Sequence, residues 1–347
     1  MSSQPMFSRP APEEVPLNKR AVALISGGLD SALAIHLIKR QGIEITALHF
    51  PSFFSPLDPE DDTAPVRLLA RQLDVPLVLI PKGLEFLDVI RNPRYGHGKN
   101  INPCIDCRID SFVRAKAFME EIGASFIVTG EVAGQRPMSQ RRDAMRLIDK
   151  RSGCEGLVLR PLSAKVLPPT RPETEGIVDR DRLMNIAGRG RKVQLKLAQE
   201  IGLTGFSPPA GGCLLTDPGF ARRLRDLLSD KQDITPADLG LLSIGRHIRV
   251  RPGLKLVVGR TERENARIEE IAPAETIVFP MDFAGPTVVV LGVPTADEEI
   301  LVAGIVRRYA KESRRTEAIG IRDAERGTRV LSVNDVARDD WIAGHIL

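Results

Sequence analysis

A short apolar run, Arg20 to Ile25, breaks into Ser26-Gly27-Gly28-Leu29-Asp30-Ser31, and Ser31 to Arg40 then resumes with apolar residues at helical spacing. The order is strand, glycine-rich loop, helix. A loop so placed aims backbone N–H groups at an anion, and the helix dipole adds positive potential there. Gly27 and Gly28 permit the close approach and unusual φ values that such a nest requires. The Ser26 and Ser31 hydroxyls are suited to donate to phosphate oxygens, and Asp30 to orient the loop or help hold Mg2+. The string lacks the Gly-Lys-Ser/Thr ending of a Walker loop and is not Gly-x-Gly-x-x-Gly, so neither a P-loop NTPase nor a dinucleotide fold is indicated.

The alternation continues along the chain. Ile43 to Phe50 reads as a strand, Ala64 to Leu73 as a helix and Pro76 to Ile80 as another strand. Such alternation predicts an α/β fold, a parallel sheet with helices on both faces and a ligand site at the carboxyl ends of its strands. After an irregular stretch from Arg91 to Pro103, Ile105 to Ile122 carries Ile109, Phe112, Val113, Ala117 and Met119 at spacings that suit a helix. Ser125 to Val128 then reads as a buried strand ending at Thr129-Gly130. Residues 136–176, rich in Arg, Pro and Gly, read as substrate-facing loops.

Phe220 to Leu228 has a helical pattern, and from Ile244 the texture changes to short β-type runs: His247 to Val250, Lys255 to Val258 and Thr287 to Leu291. A charged helical segment, Glu262 to Ile271, lies between them. The expected organisation is a loose tail over 1–19, an α/β domain over 20–219 and a smaller C-terminal α+β domain over 220–347. The tail does not resemble a signal peptide, and apolar stretches such as Thr287 to Val293 are far below the roughly 20 residues of a membrane span. A cytoplasmic protein without membrane contact is expected.

Charge is unevenly distributed. The formal net charge is +4, yet fifteen Lys and Arg stand against seven Asp and Glu between Arg136 and Lys196, a local +8. A basic middle suggests a polyanion partner, although a solvated loop face is the plain alternative. Arg160 and Lys165, and then Arg189, Arg191 and Lys192, place cations in proline- or glycine-shaped loops suited to phosphate. Arg189 and Arg191 precede a helical run from Lys192 to Glu200, where cations oppose the dipole; that local disadvantage favours an anion nearby.

There are four cysteines, Cys104, Cys107, Cys154 and Cys213. Without a secretion signal, metal or sulfur chemistry is the expected use. Cys104-Ile105-Asp106-Cys107 lies at the mouth of a predicted helix, where two thiolates can share one metal and the helix N-terminus favours the thiolate form. Cys213 ends Pro208-Pro209-Ala210-Gly211-Gly212-Cys213, and the glycines allow close approach to a bulky ligand. Three cysteines suit a [4Fe–4S] cluster with one open iron or a zinc with an open site; a redox pair or buried thiols are the alternatives. Cys154 has no partner nearby in sequence and reads as a spectator. His97, Asp106 and Asp110 are weaker candidates, since a loop hydrogen bond or a helix cap explains each equally well.

In its context the Ser26–Ser31 string resembles the signature of the N-type ATP pyrophosphatases, the PP-loop superfamily with its adenine nucleotide alpha-hydrolase-like fold. That resemblance implies cleavage of ATP to AMP and pyrophosphate with Mg2+ and adenylation of a carbonyl oxygen. It also implies adenine contacts from the strand ending at His49 and Phe50, and a nucleotide border at Thr129 and Gly130. Asn102 to Cys107 together with Gly212-Cys213 resembles PP-loop tRNA thiolation enzymes of the 2-thiouridylase and 4-thiouridine synthetase type. By that resemblance Cys104, Cys107 and Cys213 hold the cluster and, with Asp30, are catalytic; a cysteine persulfide is the rival route.

Ser243 to Val250, Lys255 to Gly259 and Glu264-Asn265 resemble the small RNA-binding module at the end of NFACT proteins, which implies RNA contacts from Arg246, His247, Arg249 and Arg251. The expected partners are tRNA and a sulfur donor, sulfide or a persulfide carrier protein, with a homodimer compatible. An N-terminal THUMP-like domain and a β-barrel tail are not visible, so the modified nucleoside does not carry over. Two other functions stay open: a PP-loop amide- or nitrile-forming ligase acting on a small metabolite with a structural zinc, and a non-catalytic RNA-binding factor.

Overall fold

The computed structural model describes residues 16–55, 61–62, 64–208, 213–310, 318–323, 326–331 and 336–347. Most of the expected tail and the Pro209 to Gly212 stretch lie outside the described residues. The chain forms two compact units, the first comprising residues 1–51, 57–81 and 103–211, the second 52–56, 82–102 and 212–347.

The first unit begins with β1 (Arg20–Leu24), α1 (Leu29–Lys39), β2 (Glu44–His49), α2 (Pro65–Gln72) and β3 (Leu77–Leu79). The short α3 (Phe86–Arg91) belongs to the second unit. The first unit continues with α4 (Cys104–Glu121), β4 (Phe126–Thr129), α5 (Arg142–Arg151), β5 (Val158–Leu159), α6 (Arg171–Thr174) and α7 (Lys192–Glu200). Its five strands are parallel and run in the order β3-β2-β1-β4-β5. Strand β1 is apolar and buried from Ala21 to Leu24 because both its faces are covered there. Ala21 and Ala23 pack with α1 residues Leu33 and Ile35, while Val22 and Leu24 pack with Phe112, Ala115 and Met119 of α4. The order reverses between β1 and β4, so their carboxyl ends open a crevice.

The second unit continues with α8 (Pro218–Asp230), α9 (Pro236–Leu241), β6 (Arg246–Arg251), β7 (Leu254–Val258), α10 (Glu262–Ile271), β8 (Thr276–Pro280) and β9 (Val288–Leu291). It ends with α11 (Ala296–Tyr309), β10 (Ile319–Asp323), β11 (Gly327–Leu331) and α12 (Asp339–His345). Its sheet is antiparallel, in the order β11-β10-β8-β9-β7-β6. One face packs on α11 through Val302, Ile305 and Val306, and the other on Leu241 and Ile268 of α9 and α10.

One expectation is corrected here. Residues 136–176 are not simply loops, because they contain α5, β5 and α6. In α5 four cations in ten residues obscure the inward stripe of Ala144, Met145 and Ile148. Helix α11 also escaped the sequence reading: Val302 to Arg307 are all buried, so no amphipathic period marks it. Its legible signal is the capping box formed by Thr295 and Glu298.

Candidate functional site: a glycine-rich loop tied to a cysteine turn

The Ser26–Ser31 loop sits at the carboxyl end of β1, and Gly27 has φ +76°, a value that a side chain would strain. Ser31 organises the loop from inside. Its hydroxyl donates to the Gly28 carbonyl at 2.8 Å and accepts from the Ser26 N–H at 3.2 Å. Gly28 is the N-cap of α1 and no side chain caps that end, leaving the leading N–H groups to face an anion. The Ser207 N–H donates to the Gly27 carbonyl at 2.8 Å and braces the loop from the chain beyond α7.

Gly130 closes the other side of the crevice. A Cβ there would stand 2.3 Å from the Ser31 nitrogen, so the Thr129-Gly130 turn packs against the start of α1 in a way only glycine allows. His49, at the end of β2, donates from Nδ1 to the Ile25 carbonyl at 2.8 Å, and burial holds its pKa below the ordinary histidine range. It is a neutral strut beside the loop.

A polar chain that the sequence did not announce runs from Asp30. Gln135 donates from Nε2 to Asp30 Oδ2 at 2.6 Å, and Gln194 of α7 donates to Gln135 Oε1 at 3.4 Å. Asp30 Oδ1, Gln194 Oε1 and Arg191 Nε are buried without a hydrogen-bond partner among the described residues. An anionic oxygen left bare beside a phosphate-type nest suits a magnesium ligand. Arg191 is the N-cap of α7 and Lys192 its first residue, so these cations do stand where the dipole disfavours them.

Cys104 and Cys107 open α4, both partly exposed, three positions apart on its first turn. Next to them, Arg108 reaches the fully buried Glu131 from α4, Nε to Oε1 at 2.9 Å. Arg160 donates to Glu131 Oε2 at 3.0 Å and binds Asp149 of α5 through both terminal nitrogens at 2.8 and 2.7 Å. Both guanidinium groups also lie over the Phe112 ring, at 5.2 and 6.0 Å. Burial pushes the Glu131 carboxyl up, but the two guanidinium groups outweigh it and hold its pKa below the usual carboxylate range. Glu131 directly follows Gly130, so one network ties the cysteine turn to the crevice beside the Ser26–Ser31 loop.

Several expected phosphate or RNA contacts are otherwise engaged. Arg160 is only 5% exposed and spends its donors on Glu131 and Asp149, which makes it a structural tie. Lys165 is exposed and donates to the Asp181 carbonyl, and Arg189 is exposed. In the second unit His247 is buried, its Nε2 held by the Leu241 and Ile244 carbonyls, and burial lowers its pKa to about 3. Arg249 is taken by Asp226 and Asp230, Arg251 by Glu298, and Arg246 lies over the Tyr309 ring. Of that row only His247 is withdrawn from solvent; Arg246 and Arg251 keep solvent-accessible faces.

His97, though exposed, donates to the Ile90 carbonyl as a loop residue, and Asp110 pairs with Arg114. Cys154 is buried against the Phe112 and Ser152 carbonyls, and burial raises its pKa. Cys213 belongs to the second unit, as N-cap of a short 3-10 turn, Leu214–Thr216. Among the described residues no set of three or more His, Cys, Asp or Glu is assembled that could hold a metal. The first turn of α4 therefore fits two thiolate ligands, two short of a closed tetrahedral site.

Comparisons with known proteins agree with this geometry. Residues 17–165 match the family described as thiamine biosynthesis protein (ThiI), and residues 245–343 match the NFACT protein RNA binding domain. The tRNA-specific 2-thiouridylase MnmA of Desulfosudis oleivorans is 31% identical over 119 residues, 33% of this chain and 32% of that protein. The protein of the same name from Listeria monocytogenes serotype 4a is 24% identical over 284 residues, 72% of this chain and 71% of the relative. Three further curated relatives are spanned to 36–38% of their length. A 4-thiouridine synthetase solved with RNA and bound ATP is 24% identical, with a TM-score of 0.39, over 64% of this chain and 52% of that one. Residues 17–165, which carry the parallel sheet and the Ser26–Ser31 loop, are thus similar to the family described as ThiI and to the 2-thiouridylases, and residues 245–343 to the NFACT protein RNA binding domain.

Proposed function

We propose that this protein is an ATP-dependent tRNA sulfurtransferase that replaces a uridine carbonyl oxygen with sulfur. The observation that carries the proposal is the single buried network from Gly130-Glu131 to Arg108, which joins an ATP-type loop to a two-cysteine turn within one unit. The α1 N-terminus would bind the phosphates, and Asp30 would hold Mg2+ through Oδ1. The uridine oxygen attacks the α-phosphorus and pyrophosphate leaves; a sulfur nucleophile then adds to the activated carbon and AMP departs with the oxygen. Holding Arg108 and Glu131 together keeps the sulfur-bearing turn at a fixed distance from the activated carbon.

The cysteine assignment goes further. Cys104 and Cys107 would supply two thiolates and Cys213 the third to a [4Fe–4S] cluster, which when bound supplies an iron open to sulfide. Iron and acid-labile sulfide in anaerobically purified protein support that assignment, and one zinc per chain or a metal-free protein able to thiolate overturns it. The overall proposal is tested by pyrophosphate release with and without tRNA, together with mass spectrometry of tRNA nucleosides from a deletion strain. Stimulation by tRNA and disappearance of one thiolated nucleoside are expected. Pyrophosphate release indifferent to tRNA would point to a small-molecule acceptor, and RNA binding without AMP formation to a non-catalytic factor.

A further inference from the structure

The basic middle of the chain divides sharply once its cations are placed. Arg160 is buried and paired, whereas α5 turns Arg142, Arg146 and Lys150 outward at successive helical turns. Arg136, Arg141 and Arg151 are also exposed around that helix. Of the two α5 carboxylates, Asp143 pairs with Arg141 and Asp149 is turned inward onto Arg160. No carboxylate among the described residues forms an ion pair with Arg142, Arg146, Lys150 or Arg151. Like charges four residues apart on a helix repel one another, so the stripe opposes its own helix unless an anion covers it.

We propose that the outer face of α5 is a docking surface for the backbone of the RNA substrate. It rests on the reading of RNA as the acceptor and assigns that RNA a place on the first unit, separate from the NFACT-type domain. The stripe from Arg142 to Lys150 extends about 12 Å along the helix, long enough to meet more than one phosphate of a strand. Exposed guanidinium groups suit bidentate phosphate contacts. An anionic membrane is disfavoured because a helix lying on lipid needs an outward apolar face, and the apolar residues of α5, Ala144, Met145 and Ile148, are buried in the protein.

The surface is also rigidly indexed to the chemistry. Asp149 on the inner side of α5 grips Arg160, which grips Glu131, which grips Arg108 beside Cys107. RNA held on α5 is therefore held in fixed register with the cysteine turn through four side chains.

The test is equilibrium binding of a tRNA transcript to the full chain over a series of NaCl concentrations, for the wild type and for R142E/R146E/K150E. The charge-neutral R142Q/R146Q/K150Q is carried alongside, with thermal unfolding as a control on folding. The reversed variant is expected to lose more than tenfold in affinity, and the neutral one to lose less. Both are expected to show a salt slope shallower by about two to three, because three phosphate contacts no longer release counterions. Conversion of ATP to AMP without RNA is expected to stay at the wild-type rate. A wild type that binds tRNA and variants with the same affinity and slope overturn the surface alone. A wild type with no salt-dependent tRNA binding overturns the acceptor reading and the surface with it.

Discussion

Arg108 Nε stands 2.9 Å from Glu131 Oε1, and through this contact the helix that begins with Cys104 and Cys107 is fixed to the turn that begins with Gly130. Glu131 is 2% exposed and serves two cations, the buried Arg160 and the partly exposed Arg108, at once. Charges this deep are stabilising only as a complete set.

Replacing Glu131 with Gln leaves Arg108 and Arg160 partly uncompensated. A loss of about 3–5 kcal/mol in unfolding free energy is expected, as for other buried pairs broken on one side. Denaturant unfolding of E131Q against wild type measures it; a change below about 1 kcal/mol would show that the network does not hold the unit together. The folded carboxyl titrates below its ordinary value, so its contribution is present above pH 4.5 and fades as pH falls through the folded value. E131Q should remove that part of the acid sensitivity.

At Gly130 a methyl group meets the Ser31 nitrogen at 2.3 Å, so Gly130→Ala has to displace either the start of α1 or the β4 turn. Such overpacking costs roughly 1–3 kcal/mol and moves the phosphate-facing N–H groups. Calorimetric titration with ATP should show a loss on the order of tenfold or more for G130A. Wild-type affinity in G130A would mean that the nucleotide does not use this crevice.

The cysteines separate by environment. Cys104→Ala and Cys107→Ala should abolish thiolation while ATP still binds, because neither touches the Ser26–Ser31 loop in the hydrogen-bond network described. Cys154→Ala should retain thiolation and lose only about 1 kcal/mol of stability, since its thiol is buried against carbonyls. Single-turnover thiolation assays on the three variants decide; activity in C107A comparable to wild type would remove the cysteine turn from the chemistry.

His247 gives the second unit a distinct acid response. Its pKa is lowered from 6.5 to about 3 by burial, with Lys255 and Arg223 adding to the effect. Between those values the unfolded chain binds the proton and the folded one does not, so stability falls as pH drops from 6.5 toward 3. The expected slope from this residue is about 1.4 kcal/mol per pH unit. His247→Gln keeps a donor for the Leu241 or Ile244 carbonyl and cannot charge, so its unfolding should be flatter over that window. An unchanged slope in H247Q would assign the acid response to other groups.

The strand, loop and helix around Ser26–Ser31 were legible in the sequence because their information is local. An apolar run, two glycines and a helical period state the conformation within twenty residues, and β1, α1, β2, α2, β3, α4 and β4 all fall where their periodicity places them. The C-terminal strands β6, β7 and β9 were legible for the same reason. Helix α11 was not, because burial all round erases the polar half of a helical pattern.

The sequence by itself determined the glycine-rich loop, the cysteine turn and an excess of positive charge between Arg136 and Lys196. Only the tertiary structure decided which of those charges are available. Arg160 is consumed by Glu131 and Asp149, 29 and 11 residues away, and Arg249 by Asp226, 23 residues away. Arg142 and Arg146, unremarkable in the sequence, are left facing solvent. A formal charge belongs to a residue, but its pairing and desolvation belong to whatever the fold packs against it, and those partners are set by contacts distant along the chain.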